Sequence, residues 1–206
     1  MNFCKDITMI RLFSVLVVIC LMINVDVLQA ADEAPQKKPN LVRNGGFEEG
    51  DKYWGFAQWK GLALPGRFET FNAPEGKQYF VLTEPGTTER RFIRTNPFPV
   101  DSKHDYVFTV TLATENVRKG TINVRALQYG QKDGKKSPVL GWVAPNRPGV
   151  HDLIPSLAGT TDWTVYTFKI PGKSLNPKTT SLGIYFNHEQ PSLGELKIDA
   201  VHASAE

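Results

Sequence analysis

Apolar and polar residues alternate with a period of two in seven separate stretches of this chain, residues 78–83, 91–95, 106–114, 121–129, 163–170, 181–187 and 195–202. Successive side chains of an extended chain point to opposite faces, so each stretch reads as a strand with one face to bury. Turn-forming groups fall between them: Pro85-Gly86, Lys132-Asp133-Gly134, Pro148-Gly149 and Pro171-Gly172. No window of 11 to 18 residues carries apolar residues at i, i+3, i+4 and i+7, and no segment repeats. The pattern predicts an all-β chain folded as an antiparallel β-sandwich, with helix scarce.

The alternation also says which face is core. In 106–112 one set is Tyr106, Phe108, Val110 and Leu112, which is apolar throughout and faces inward. Ile122, Val124, Ala126 and Gln128 oppose Asn123, Arg125, Leu127 and Tyr129; Leu182, Ile184, Phe186 and His188 oppose Gly183, Tyr185, Asn187 and Glu189. Two strands thus turn amide, guanidinium and phenol groups outward. Such a face suits a ligand that both stacks and hydrogen-bonds.

Export is read from the N-terminus. Lys5 and Arg11 precede the uncharged run LFSVLVVICLMI (12–23), and small residues follow at Ala30 and Ala31. This is the layout of a cleavable signal over 1–30, and twelve apolar residues are fewer than the about 20 a membrane span requires. The polar stretch 31–39 (ADEAPQKKP) reads as a flexible leader, and 40–206 as one folded domain. The protein is expected in the periplasm or outside the cell, with no membrane span once the signal is removed. Both cysteines, Cys4 and Cys20, lie in the signal, which excludes disulfides, thiolate metal sites and a thiol nucleophile from the remainder. A net charge of +3, with its one basic cluster at 132–136 broken by Asp133 and Gly134, does not point to nucleic acid.

The domain opens with Asn40-Leu41-Val42-Arg43-Asn44-Gly45-Gly46-Phe47-Glu48-Glu49-Gly50 and then Trp54. Further on come Gly76-Lys77-Gln78-Tyr79, Thr161-Asp162-Trp163, and the closing Gly194-Glu195-Leu196-Lys197-Ile198-Asp199-Ala200-Val201. In these motifs the chain resembles carbohydrate-binding modules of the family 4, 9, 16 and 22 type. The resemblance implies a galactose-binding-like jelly roll with its first and last strands in one sheet. It also implies a structural calcium ion, held by Glu48, by the carbonyls of Gly76 and Lys77, and by Asp199. Hard oxygen donors of this kind suit Ca2+. The alternative is that Glu48 and Asp199 accept hydrogen bonds from nearby turns. The segment 134–159 is longer and richer in proline than a plain module would carry.

Catalytic signatures are missing. Adjacent Glu48 and Glu49 would point to opposite faces of a strand, and neither G-x-S-x-G nor H-E-x-x-H occurs. The four histidines show no ligand spacing, and only His188-Glu189 merits inspection as a pair. Phe47 and Trp163 are expected in packing roles, whereas Trp54, Trp59 and Trp142 sit beside glycines in expected loops, either as anchors or as sugar platforms. A pyranose offers a C–H face and a rim of hydroxyls, and Trp59, Arg125, Tyr129, Trp142, Tyr185 and Asn187 could meet both. The expected function is non-catalytic binding of a polysaccharide or glycan. The alternative is an extracellular structural or adhesion sandwich acting through protein contacts with no sugar site.

Overall fold

The structure, a computed structural model, describes residues 38–56, 64–83, 91–118, 121–130, 138–144, 151–154, 157–189 and 193–206. The expected signal, Trp59, and the turns at Pro85-Gly86, Lys132-Asp133-Gly134 and Pro148-Gly149 lie outside the described residues.

The alternating stretches become strands, with ends that move by a few residues. The described strands are β1 (Trp54–Phe56), β2 (Gly66–Glu69), β3 (Tyr79–Leu82), β4 (Arg91–Thr95), β5 (Phe98–Pro99), β6 (Tyr106–Val117), β7 (Ile122–Gly130), β8 (Val139–Trp142), β9 (Gly159–Ile170), β10 (Thr179–His188) and β11 (Glu195–Ala205). They form two antiparallel sheets, ordered β1-β4-β10-β7-β8, with β5 also on β10, and β2-β3-β11-β6-β9. The helical content among the described residues is one 3-10 turn, Gly172–Ser174, at the Pro171-Gly172 turn. No described helix is long and apolar enough to cross a membrane.

Between the sheets lies the core that the alternation points to. Phe108, Val110 and Leu112 of β6, Val124 and Ala126 of β7, and Leu182, Ile184 and Phe186 of β10 are all buried. Each such side chain contributes about 1.5–3 kcal/mol by leaving water. Phe47 is buried at the end of this core, stacked on Trp54 at 4.4 Å and against Phe80 at 5.8 Å. Trp54 is therefore core, and its indole N–H donates to the Asn44 carbonyl at 2.9 Å. Of its two readings, anchor or platform, the structure selects the anchor.

The opening motif is not the first strand of a sheet. Asn44 and Phe47 adopt left-handed φ of 54° and 57°, which breaks an extended run, and the Asn44 amide is spent holding the turn through the carbonyls of Gly50 and Lys52. The segment still lies along β11: the Leu41 N–H donates to the Ala203 carbonyl at 2.8 Å and the Val201 N–H to the Gly45 carbonyl at 3.0 Å. The approach is so close that a Cβ on Gly45 would stand 1.9 Å from the Val201 oxygen. The first true strand, β1, belongs to the other sheet and pairs with β4. The proline-bearing 134–159 segment supplies β8 and, at its far end, sinks Leu153, Ile154 and Leu157 into the core.

Candidate functional site

Register builds the outer face of the first sheet. Tyr185 of β10 stands opposite Arg94 of β4 on one side and Arg125 of β7 on the other. One step along, Asn187 is flanked by Phe92 and Asn123, and one step back Gly183 faces Leu127, which in turn faces Trp142 of β8. Residues directly opposite in an antiparallel pair share a face. Of the residues expected at a sugar site, Arg125, Tyr129, Trp142, Tyr185 and Asn187 therefore stand on one surface; Trp59 lies outside the described residues.

Tyr185 is the centre of that surface. Trp142 meets its ring edge-on at 5.3 Å, Phe92 packs at 5.4 Å, and the Arg94 guanidinium carbon lies 5.8 Å from the ring centre. Its hydroxyl shares a 2.8 Å hydrogen bond with that of Tyr129, whose ring fits because residue 183 is glycine: a Cβ there would touch it at 3.3 Å. Burial, then this hydrogen bond, push the Tyr185 hydroxyl well above the ordinary phenol range. The Tyr185 hydroxyl thus keeps its proton and serves as both donor and acceptor at neutral pH. Arg125 lies 6.0 Å from the Trp142 ring centre, and its Nε donates to Asp152 Oδ1 at 2.6 Å. That ion pair and the backbone bridge Arg125↔Asp152 tie the end of the long segment to β7.

Asn187 has a different place. It is 4% exposed, and its amide donates to Asn123 Oδ1 at 3.0 Å, while the Asn123 amide reaches Glu189 Oε1 at 3.3 Å. The two asparagines form a polar ladder one step along the strands from Tyr185 and Arg125. His188 and Glu189 do not act as a pair, because they point to opposite faces: His188 is fully buried inward with Nδ1 3.1 Å from the Thr83 carbonyl.

Three residues of this surface were not read from the sequence: Phe92, Arg94 and Asp152. The 91–95 stretch combines a ring with a guanidinium, as β7 does. Its other set, Arg91, Ile93 and Thr95, is also mixed, so five residues do not declare which side faces out. Asp152 comes from a segment with no alternation at all.

The expected calcium ligands stand where the opening segment meets β3 and β11. Glu48 Oε1 accepts the Lys77 N–H at 2.7 Å and the Gln78 N–H at 3.3 Å. Buried Asp199 accepts the Glu75 N–H at 2.9 Å through Oδ2 and the Ala200 N–H at 2.8 Å through Oδ1. Burial raises the Asp199 carboxyl to about 6; the two N–H bonds oppose this, and the charges of Glu75 and Glu48 add to it. Among the described residues no three acidic, histidine or cysteine side chains gather around one point. The donor chemistry nevertheless fits a hard cation, since each carboxylate oxygen that takes one N–H keeps a second lone pair.

Searches of protein-family models and of curated proteins match nothing to this chain. Solved structures do match. One described as a Family 16 Carbohydrate Binding Module-2 aligns over 80% of this chain and 99% of its own, at 16% identity and a TM-score of 0.50. The CBM22-1 xylan-binding domain from Paenibacillus barcinonensis Xyn10C aligns over 84% and 97%, at 10% identity and 0.53. The chain has the β-sandwich fold of these modules. The Stig cyclase Fisc from Fischerella sp. TAU aligns over 82% and 96%, at 17% identity and 0.53, so the same fold also carries catalysis. The function must therefore be argued from the face itself.

Proposed function

We propose that this protein is an exported, non-catalytic carbohydrate-binding domain whose ligand lies across the outer face of the first sheet. The observation that carries the reading is the setting of Tyr185, with rings on two sides and the guanidinium groups of Arg94 and Arg125 opposite it in register. Rings receive the apolar C–H face of a sugar; guanidinium and phenol groups receive its hydroxyls. The nearby carboxylates serve as struts, Asp152 on Arg125 and Glu189 on Asn123. The likeness in fold to modules named for carbohydrate and xylan binding supports the same reading.

A calcium ion belongs to the proposal as a structural part, held by Glu48, Asp199 and the carbonyls of Gly76 and Lys77. It would tie the opening segment, through Glu48, to the last strand, through Asp199. Burial, which does most to raise Asp199, leaves a carboxylate that a bound cation would hold ionised.

Affinity electrophoresis through gels of neutral and acidic polysaccharides tests the function. Wild type is expected to be retarded by at least one polysaccharide, Trp142→Ala and Tyr129→Ala to run freely, and the retained polymer to release no reducing ends. No retardation on any polymer would transfer the case to an adhesion role through protein contacts. Released reducing ends would make the protein an enzyme.

A further inference from the structure

Apart from Tyr185 and its ring partners, a cleft of about 370 Å³ opens between the opening segment, the turn before β1 and the β4–β5 connection. Its volume falls at the low end of small-molecule sites, about 300–1,000 Å³, enough for one or two sugar units and not a long chain. Phe98, 4% exposed and paired with β10 opposite Leu182, forms the floor with Leu41. Pro97 and Pro99 make a wall. Proline has no N–H, so that wall presents flat apolar rings, and the cleft's side-chain donors are left to Arg43, Asn96 and the Tyr53 hydroxyl. The far wall is Tyr53, fixed by the Asn96 N–H donating to its carbonyl at 2.9 Å.

Arg43 sets the chemistry. Its guanidinium carbon lies 5.5 Å from the Tyr53 ring centre, and the Lys52 ammonium 5.1 Å from the same centre. Lys52 is paired with Glu49. Arg43 is exposed and has no carboxylate partner among the described residues. A ring-braced guanidinium with its fork free takes a planar or tetrahedral oxyanion in bidentate fashion.

We propose that this cleft is a second saccharide subsite, specific for a sugar unit that carries one anionic group, a uronate carboxylate or a sulfate ester, held by Arg43. That the ligand is a saccharide rests on the function proposed above; the site and its charge preference are independent of the Tyr185 face. The full exported chain is titrated with polygalacturonate, its methyl ester, dextran sulfate and dextran, using wild type, Arg43→Gln, Lys178→Gln and Trp142→Ala. Lys178 is exposed and controls for the loss of one charge. Wild type should bind one charged polymer better than its uncharged counterpart, and which charged polymer it is distinguishes uronate from sulfate. Arg43→Gln should weaken that binding at least about tenfold, the scale of a lost charge-assisted hydrogen bond, while Lys178→Gln leaves it unchanged. Equal weakening by both substitutions, or equal wild-type binding of charged and uncharged polymers, would overturn the proposal. Should Trp142→Ala abolish neutral-polymer binding while charge preference is absent, only the subsite fails. Arg43-dependent acidic binding that is indifferent to Trp142, with no neutral ligand found, would sink the Tyr185 face alone.

Discussion

The two sheets turn very different surfaces outward. On the second sheet, among the described residues, charged groups in the middle of the face answer one another: Arg67 donates to both oxygens of Glu195 at 2.6 and 2.9 Å and to Glu69 at 2.7 Å. The Tyr79 hydroxyl takes the other Glu69 oxygen at 2.7 Å, and Lys197 pairs with Glu115 at 3.1 Å. On the first sheet Asp152 answers Arg125, but Arg94 has no carboxylate partner among the described residues and lies against the Tyr185 ring, which Phe92 and Trp142 flank. Polar groups tied to each other on the surface have little left for a ligand, whereas braced rings and donors are ordered beforehand and retain their binding capacity. Polarity alone does not single out the candidate face; the feature that does is a guanidinium without an ion-pair partner beside flat aromatic rings.

Calcium should produce the largest effect, and on the second sheet's side alone. At a hundredfold excess over Kd an ion bound only to the folded state stabilises by about 2.7 kcal/mol, so calcium is expected to raise the melting temperature, and chelator to lower it. Glu48→Ala or Asp199→Ala should remove the response. A calcium-insensitive melting curve for wild type would remove the ion from the account.

Next come the rings. Tyr185→Ala and Trp142→Ala should each cost roughly 1–3 kcal/mol of glycan binding, read by calorimetry as a tenfold or greater loss. Arg67→Ala, on the opposite face, should leave binding unchanged and lower stability by no more than about 1 kcal/mol, since its pairs are exposed. A binding loss in Arg67→Ala would erase the contrast between the faces.

The smallest effect is a pH dependence. Glu69 is held below the usual carboxylate range, first by the Tyr79 hydroxyl and then by Arg67. A depressed folded pKa contributes stability that is present above the unfolded value near 4.3 and is lost as pH falls through the folded one. Tyr79 is raised to about 12, by burial first and by Glu69 second, so its contribution is present below about 10 and lost as pH rises toward 12. Chemical denaturation across pH should show both edges in wild type and neither in Glu69→Gln with Tyr79→Phe.

Long strands were legible in the sequence because a period of two over seven or more residues admits one inward set, as in Tyr106, Phe108, Val110 and Leu112. Strands of two to four residues, such as β2 and β5, give too few alternations to read. The opening motif misled as to pairing because its hydrogen bonds to β11 come from a turn whose left-handed Asn44 and Phe47 no alternation reveals. Tyr185 and Arg125 could be put on one face from the sequence because two strands share one outward chemistry, and the register sets the two residues opposite each other. Asp152 could not be, since only the folded chain brings a residue 27 positions away onto Arg125. Asn187 shows the converse: its outward parity is right, yet it is buried, because parity gives direction and not what lies above it.

The most direct test follows backbone amide signals of the isotope-labelled protein by NMR while an oligosaccharide from a retained polymer is added. Shifts are expected to concentrate in β4, β7, β8 and β10, with the Trp142 indole signal among the largest, and β2, β3 and β11 unmoved. Shifts centred on β2, β3 and β11 would contradict this expectation.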